Sequence, residues 1–276
     1  MTRAGDAYFE LRMKLAASPS ADLDAELLLA HVLGCSRAGL AAAPEREMDD
    51  DQAEALAGFA ARRRDGEPIA YLTGRRAFWT LDLEVTPDVL VPRPETELLV
   101  ETALDELRDV EAAVVLDLGT GSGAIALAIA SERPDATVTA VDRSSAALAV
   151  AARNAGRLQI GNVRFLLGSW YESVGTERFH AIVANPPYVA DGDPALAAIA
   201  YEPREALVAG PQGLDALAEI CAKVPAHIAA GGRLIVEHGA SQGAAVRAMM
   251  MAADLHGVAT LNDLAGLPRV TRGSAR

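Results

Sequence analysis

The segment Asn185-Pro186-Pro187-Tyr188 directly follows a predicted buried strand and has the most specific chemistry in the chain. Two consecutive prolines fix φ and hold Asn185 in an extended conformation. Because proline has no N–H group, we expect the carbonyls here to face outward at the strand end. The Asn185 side-chain oxygen and the Pro186 carbonyl could then accept both N–H bonds of a planar NH2 group, against which Tyr188 could stack.

A glycine-rich turn, Gly119-Thr120-Gly121-Ser122-Gly123, lies between a predicted strand and the helical run Ala124–Ala130. Glycine is needed where the chain turns tightly and where its backbone must approach a ligand closely. Asp142 ends the next predicted strand, where a carboxylate can accept hydrogen bonds from both hydroxyls of a ribose. These features indicate a nucleoside cofactor, and both NAD and S-adenosylmethionine fit them.

An NH2-binding site beside a nucleoside site favours methyl transfer from S-adenosyl-L-methionine. The nitrogen of a carboxamide or an aminated ring is a poor nucleophile because its lone pair is delocalised. Two acceptors outside the NH2 plane favour a pyramidal nitrogen and direct its lone pair at the sulfonium methyl group. Catalysis would then consist of orientation and electrostatic complementarity without a strong base. A NAD-dependent oxidoreductase and a noncatalytic cofactor-binding protein remain the alternatives.

The elements that position these residues alternate between strand and helix. A helix is expected from Pro94 to about Arg108. Strands are expected near 113–118, 137–142, 162–167, 179–184, 231–237 and 257–262, with a short final strand at Arg269 to Thr271. Such alternation predicts an α/β fold, with a mostly parallel sheet covered by helices on both faces. Ligands of such sheets bind at the carboxyl ends of the strands.

Two further regions precede this sheet. From Gly5 to about Arg64, apolar residues recur at three- and four-residue spacing, which predicts three or more helices. From Ala77 to Val91 the residues alternate, and Thr86-Pro87-Asp88 is a turn signal, so a β-hairpin is expected. We therefore predict a helical substrate-docking domain (1–76), a β-hairpin connector (77–93) and a catalytic domain (94–276).

The composition is typical of a soluble globular protein, with 51% hydrophobic and 23% charged residues. No apolar run approaches the roughly 20 residues of a membrane helix, and the N-terminus lacks the apolar segment of a signal peptide, so a cytoplasmic protein is expected. The net charge of -13 argues against direct nucleic-acid binding, which depends on Lys and Arg. The histidines and cysteines lack metal-ligand spacing, so no metal is expected.

Together these motifs resemble the peptide chain release factor N5-glutamine methyltransferases, the HemK/PrmC family. Besides Asn185 to Tyr188, the resemblance includes Pro92-Arg93-Pro94-Glu95-Thr96-Glu97 and Tyr71-Leu72-Thr73-Gly74. It extends from about Glu67 to the C-terminus, and the helical block fits the family's small N-terminal domain. The resemblance implies a Rossmann-like sheet of the class I S-adenosylmethionine methyltransferases. It also implies that the substrate is the glutamine of the Gly-Gly-Gln loop in class 1 release factors.

The resemblance also implies residue roles. The residues Gly119, Thr120, Gly121, Ser122 and Gly123 would surround the methionine part of the cofactor. Asp142 would bind its ribose and Trp170 would lie near its adenine. Asn185 is also expected among the cofactor-binding residues. Asn185, Pro186, Pro187 and Tyr188 would hold the substrate amide, with Asn185, Pro186 and Tyr188 as the catalytic residues. The chain departs from the family at Ser169, where an aspartate is frequent that could accept a hydrogen bond from the adenine amino group.

The Asn-Pro-Pro-Tyr motif also occurs in adenine-N6 DNA methyltransferases and in ribosomal-protein glutamine methyltransferases, which are the alternative functions. The Pro92 to Glu97 segment, the small helical domain and the lack of a large DNA-recognition domain favour release factors. Two further features are less specific. Glu237 and His238 end a predicted strand, and a structural role is favoured for His238. Tyr201 to Arg204 could either wall a substrate channel or form a solvated loop.

Overall fold

The computed structural model describes residues 2–276, which form two compact units. The first unit ends at Arg75, and the second spans Arg76–Arg276. The division falls one residue before the predicted end of the helical domain. Among the residues described, no helix combines the length and the apolar character that crossing a membrane requires.

The first unit is helical. Its helices are α1 (Ala4–Lys14), α2 (Ala21–Val32), α3 (Arg37–Ala42), α4 (Asp50–Arg64) and α5 (Ile69–Thr73), and β1 (Thr2–Arg3) pairs with β2 (Glu47–Met48). Buried leucines and alanines of these helices form one core. Buried Asp24 accepts hydrogen bonds from Ser18, Ser20 and Arg63, and these bonds tie the start of α2 to the end of α4.

The second unit contains a seven-stranded sheet. Its strands are β5 (Val114–Leu118), β6 (Thr137–Asp142), β7 (Val163–Leu167), β8 (Phe179–Ala184), β9 (Ile228–Glu237), β10 (His256–Asn262) and β11 (Pro268–Ser274). The strand order is β10-β11-β9-β8-β5-β6-β7. The five strands from β9 to β7 in that order are parallel, whereas β11 pairs antiparallel with both β9 and β10. The predicted mostly parallel α/β sheet is confirmed.

Helices cover both faces of this sheet. They are α6 (Glu97–Glu106), α7 (Ala124–Glu132), α8 (Ser145–Leu158), α9 (Asp215–Lys223) and α10 (Gly243–Ala252). Side chains of a strand alternate between two cores. In β5, Val115 packs in the core that contains residues of α6, α7 and α8, whereas Leu116 and Leu118 pack with α9 and α10. Both faces of the strand are therefore buried, which explains its continuous apolar character.

The predicted hairpin is present, but its turn lies earlier than expected. Its strands are β3 (Arg75–Phe78) and β4 (Leu81–Glu84), joined at Trp79 and Thr80, and Trp79 has a φ of 55°. The turn at Thr86 to Asp88 follows β4 instead. Phe78 and Leu81 are both buried but three residues apart, which breaks the period of two. This break in the alternation marks the turn.

Short 3-10 helices complete the second unit at Pro94–Thr96, Pro194–Ile199, Arg204–Ala206 and Val224–Ala226. The sheet is built outward in both directions from the pair β5 and β8, because the chain adds β6 and β7 on one side and β9 on the other. The crevice beside such a reversal of strand order is where open α/β sheets bind ligands. The glycine turn follows β5 and the Asn185 segment follows β8, so both lie at this crevice.

Candidate active site

A cavity of about 330 Å³ opens at the carboxyl ends of the parallel strands. Among the predicted site residues, it is lined by Gly119, Gly121, Asp142, Trp170, Asn185 and Pro187. The remaining predicted residues do not line it: Thr120, Ser122, Gly123, Pro186 and Tyr188. The cavity also has four acidic lining residues, Asp88, Glu205, Asp215 and Glu219, of which only Asp88 belongs to a motif noted in the sequence.

The glycine turn owes its shape to three residues with positive φ, Gly119 at 76°, Gly121 at 56° and Gly123 at 84°. These values favour glycine because a Cβ atom would be strained there. A Cβ on Gly123 would also lie 3.0 Å from Leu127, so this glycine permits close packing. A Cβ on Gly121 would meet no described atom within 4 Å. Gly121 is therefore the position at which the backbone is open toward the cavity.

Thr120 and Ser122 of the turn are both buried. The Thr120 hydroxyl donates to Asp117 Oδ2 over 2.6 Å, and the Ser122 carbonyl accepts from Asn154 Nδ2 over 3.0 Å. Asp117 is fully buried, and its Oδ1 has no hydrogen-bond partner among residues 2–276. Burial raises the pKa of Asp117 to about 7, against the opposing hydrogen bond from Thr120. These groups support the turn from beneath.

Asp142 ends β6 with both carboxylate oxygens already accepting backbone N–H bonds. Oδ2 accepts from Gly121 N over 2.8 Å, and Oδ1 accepts from Ser144 N over 2.9 Å. Partial burial raises the pKa of Asp142, although these two N–H groups oppose the shift. Each carboxylate oxygen keeps further acceptor capacity. A carboxylate held in this way, within the cavity lining, is able to accept hydrogen bonds from a pair of vicinal hydroxyls.

Trp170 forms a flat wall of the same cavity. Its φ is 49°, and its indole Nε1 donates to Glu219 Oε2 over 3.0 Å. The six-membered ring lies close to Gly119, since a Cβ there would be 3.5 Å from the Trp170 ring. The neighbouring Ser169 also lines the cavity. Since Asp215 and Glu219 lie on the same wall, carboxylates are present near Trp170 even though position 169 has none.

Asn185 enters the cavity lining with its side chain already oriented. Its Nδ2 donates to Thr96 Oγ1 over 3.1 Å. The amide therefore uses an N–H group on the protein side, and its oxygen is the end available to a ligand. The role of Asn185 as an acceptor for an NH2 group stays a prediction. Thr96 lies 89 residues earlier in the chain, so the sequence did not reveal this contact.

Tyr188 and Glu237 form a second, more deeply placed pair. The Tyr188 hydroxyl donates to Glu237 Oε1 over 3.3 Å, and burial raises the pKa of the Tyr188 phenol well above its usual range. Glu237 is 1% exposed, and burial raises its pKa to about 7, opposed by the Thr96 hydroxyl and by Arg269. Tyr188 is thus a neutral phenol whose hydroxyl faces away from the cavity lining and toward Glu237.

The loop that contains Tyr201 to Arg204 borders the cavity. Glu202 is buried, forms an ion pair with Arg93 and accepts a hydrogen bond from Val91 N over 3.0 Å. The adjacent residues Pro203, Glu205 and Ala206 line the cavity. The loop is therefore anchored through Glu202 to the Pro92 to Glu97 segment and forms one wall of the site.

The structural role favoured for His238 from the sequence stays a prediction. The side chain is fully buried. Its Nδ1 lies 2.8 Å from the Gly239 carbonyl, and its Nε2 lies 2.8 Å from Thr271 Oγ1. These two contacts use both ring nitrogens and join the end of β9 to β11. Burial lowers the pKa of the imidazole, which favours its neutral form.

Comparison with known proteins identifies relatives over almost the whole chain. Residues 7–74 match the family model described as the PrmC N-terminal domain, and residues 94–212 match the methyltransferase small domain. The chain is 51% identical over 262 residues to the release factor glutamine methyltransferase of Pseudomonas aeruginosa, covering 94% of this chain and 95% of that protein. It is 50% identical over 253 residues to the protein of the same name from Xylella fastidiosa, covering 91% and 92% respectively.

Solved structures show the same fold. A methyltransferase from Pyrococcus furiosus matches with a TM-score of 0.53 at 19% identity, over 79% of this chain and 98% of that chain. At this level of identity the match shows the fold alone. Together with the relatives, it confirms the fold class and the family resemblance that the motifs indicated.

We predict that Asp142→Ala weakens binding of the cofactor. The variant loses charge-assisted hydrogen bonds to the ribose, so the dissociation constant of S-adenosylhomocysteine should rise roughly ten- to a hundredfold. Isothermal titration calorimetry measures this change. Asp109→Ala, at an exposed position of the same unit, serves as the control and should bind as the wild type does. An unchanged dissociation constant for Asp142→Ala, with an unchanged melting temperature, would remove Asp142 from the cofactor site.

We also predict that the burial of Glu237 makes the free energy of unfolding depend on pH. The folded state raises the pKa of Glu237 from 4.5 to about 7, so the protonated form favours folding. Its contribution to stability is complete below pH 4.5 and is lost as the pH rises through about 7. Across this pH range, the contribution of Glu237 to the free energy of unfolding falls by about 3 kcal/mol. Glu237→Gln lacks this titration, so its free energy of unfolding should rise relative to that of the wild type between about pH 5 and about pH 8.

Urea unfolding of both proteins at these two pH values measures this difference. The effects of the substitution on packing are the same at both pH values and cancel in the comparison. If the difference between the two proteins does not change with pH, Glu237 has the same pKa in the folded and unfolded states.

Proposed function

The chain belongs to the release factor glutamine methyltransferase family, and on that premise we propose that it methylates a glutamine side-chain amide of a class 1 peptide chain release factor. The target is the glutamine of the Gly-Gly-Gln loop, and S-adenosyl-L-methionine is the methyl donor. The observation that carries the proposal is the orientation of Asn185, whose side-chain nitrogen is bonded to Thr96 while its oxygen is left to the cavity.

The cavity fits S-adenosyl-L-methionine. Asp142 provides a carboxylate for the ribose hydroxyls, and Gly121 provides open backbone for the methionine part. Trp170 provides a flat apolar wall for the adenine, with Ser169 and the carboxylate of Glu219 beside it. When bound, this cofactor supplies a methyl group on positively charged sulfur. The acidic lining is compatible with that charge.

The chain's own contribution to the reaction is the orientation of the substrate amide. The Asn185 oxygen accepts one N–H bond. The Pro186 carbonyl, expected from the sequence as the second acceptor, does not line the cavity. Pro187 lines the cavity next to Asn185 and restricts the space around the amide. Such positioning withdraws the nitrogen lone pair from conjugation and needs no strong base. The hydrogen bond from Tyr188 to Glu237 anchors the Asn185 to Tyr188 segment to the end of β9.

The first unit is proposed to dock the protein substrate. It matches the PrmC N-terminal domain model, and all the predicted cofactor-binding residues belong to the second unit. Its surface carries an exposed apolar pair on α1, Phe9 at 62% and Met13 at 72% exposure, which face the same side at a spacing of four residues. Contiguous exposed apolar patches mark protein interaction sites, and we infer that this pair forms part of one. Because release factors act in translation, we place the enzyme in the cytoplasm.

Mass spectrometry of a purified class 1 release factor, incubated with the enzyme and isotopically labelled S-adenosyl-L-methionine, tests the function. The expected result is one labelled methyl group on the glutamine of the Gly-Gly-Gln peptide. A release factor with alanine in place of that glutamine is the control and should remain unlabelled. Labelling only of a ribosomal protein, or only of adenine in an oligonucleotide, would instead establish one of the two alternative functions.

We predict that Asn185→Ala slows methyl transfer by more than about a hundredfold, because the acceptor acts mainly in the transition state. Affinity for the cofactor should change little. Single-turnover methylation at saturating cofactor measures the rate, and a melting curve reports the stability. Asn262→Ala, at an exposed position at the end of β10, is the matched control. A stable Asn185→Ala variant with near-normal turnover would refute the proposed mechanism.

We predict that replacing Phe9 and Met13 together by serine raises KM for the intact release factor by roughly tenfold, as expected for loss of an apolar contact at an interface. Methylation of a short Gly-Gly-Gln peptide should stay unchanged, because such a peptide lacks the rest of the docking surface. The matched control replaces Leu264 and Leu267, an exposed apolar pair of the second unit, by serine. If both double variants have the KM of the wild type, the α1 surface does not dock the substrate.

A further inference from the structure

Gln242 stands immediately before α10, but its side chain makes no capping hydrogen bond to that helix. Its Oε1 accepts from Gly239 N over 2.8 Å, and its Nε2 donates to the Tyr188 carbonyl over 2.9 Å. The same Nε2 lies 3.1 Å from the Gly213 carbonyl. One side-chain amide therefore joins the turn after β9, the end of the Asn185 to Tyr188 segment and the loop before α9.

Two glycines make room for this amide. Gly213 has a φ of 68°, and a Cβ atom there would overlap the Tyr188 carbonyl oxygen. A Cβ atom on Gly239 would lie 3.0 Å from Gln242 Oε1. A larger residue at either position would push apart the groups that meet at Gln242. The three backbone segments are thus packed closely around the Gln242 side chain.

The Asn185 to Tyr188 segment is stiff, because its two consecutive prolines fix φ. At its start, Ala184 pairs with both neighbouring strands, β5 and β9. At its end, Tyr188 bonds to Glu237 through its hydroxyl and to Gln242 through its carbonyl. A stiff segment that is held at both ends cannot pivot, so the groups within it keep their positions.

Gln242 holds the segment from outside the cavity. Asn185 lines the cavity, whereas Gln242 does not. The backbone of the next residue along the chain, Val189, bonds to Leu207 and Ala209 of the loop that follows the segment. Gln242 belongs instead to the connection between β9 and α10, so its bond ties the end of the segment to the sheet. An effect of Gln242 on a ligand must therefore pass through the segment.

We propose that Gln242 is a positioning residue for methyl transfer, which holds the Tyr188 carbonyl and so keeps the Asn185 side-chain oxygen in place for the substrate amide. This inference rests on the proposed function and adds one residue to its mechanism. Gln242 neither contacts the substrate nor takes part in a chemical step. The proposal also explains why glycine is needed at positions 213 and 239, where the chain packs against the same contact.

Gln242→Met tests the proposal, because methionine has nearly the length and shape of glutamine but cannot donate a hydrogen bond to the Tyr188 carbonyl. The single-turnover rate at saturating cofactor should fall about tenfold, since the end of the segment is then free to move. The dissociation constant of S-adenosylhomocysteine should change less than about twofold, because Asp142 and Trp170 lie on other elements. KM for the release factor should also be unchanged.

Gln159→Met is the matched control. Gln159 follows the last residue of α8, at the end of that helix opposite to the one that borders the cavity. The substitution is the same, so any general effect of exchanging glutamine for methionine appears in both variants. Gln159→Met should transfer methyl groups at the wild-type rate. Equal slowing of Gln159→Met and Gln242→Met would overturn the proposal.

A double-variant cycle separates positioning from structural support. If Gln242 acts through Asn185, Gln242→Met should slow the wild type about tenfold but should slow the Asn185→Ala variant little further. A purely structural role predicts a further fall of about tenfold in the Asn185→Ala background, together with weaker binding of S-adenosylhomocysteine. That result would overturn the proposal.

A second variant covers the case in which Gln242→Met does not fold. Gln242→Glu keeps an oxygen for Gly239 N, and at about pH 8 its ionised carboxylate has no proton for the Tyr188 carbonyl. A slower rate at unchanged cofactor affinity supports the proposal, and an unchanged rate overturns it. If neither variant folds, Gln242 is required for the fold itself, and the proposal is overturned as well.

The rates are compared on the substrate that the wild-type enzyme labels, so the inference and the proposed function fail separately. A wild type that labels the release factor, together with an equally fast Gln242→Met variant, contradicts only the inference. A wild type that labels only a ribosomal protein or an oligonucleotide contradicts the function, and the same fall in rate is then expected on that substrate. A wild type that labels none of the three contradicts both.

Discussion

The parallel register of β5 with its two neighbours is the constraint on which the site depends. Leu118, the last residue of β5, pairs with Val141 of β6 and with Ala184 of β8. The residues that follow, Gly119, Asp142 and Asn185, therefore leave the sheet in one row. A shift of either neighbour by one residue would separate them and would also exchange the side chains that this strand packs into the two cores. The packing of two apolar cores thus fixes the distances between the glycine turn, Asp142 and the Asn185 segment.

Beneath this row lie two buried carboxylates, Asp117 and Glu237, each with a raised pKa and one oxygen without a partner in the part of the chain that the structure describes. Asp117 accepts a hydrogen bond from the Thr120 hydroxyl in the glycine turn, and Glu237 accepts one from the Tyr188 hydroxyl in the Asn185 segment. Burial of such groups destabilises the fold. Both carboxyl groups lie under the crevice. We infer that the cost of burying them is tolerated because they orient the polar groups of the crevice.

The sequence predicted the strands, the glycine turn and the Asn185 segment because local patterns encode them. The sequence also indicates the hairpin turn, because the alternation breaks after Phe78. The stronger turn signal at Thr86 to Asp88 obscured this break. It could not show which loop side chains face the cavity, since the φ values at the glycines direct Thr120 inward. Nor could it show the contact between Thr96 and Asn185, which depends on how α6 packs beside β8.

The most direct test of this account is a crystal structure of the enzyme with S-adenosylhomocysteine and a Gly-Gly-Gln peptide of a class 1 release factor. The account predicts that the glutamine side-chain nitrogen lies about 3 Å from Asn185 Oδ1, and that Asn185 Nδ2 keeps its hydrogen bond to Thr96. The nucleoside should lie between Asp142 and Trp170. A glutamine bound elsewhere, or bound with its oxygen toward Asn185, would contradict the account.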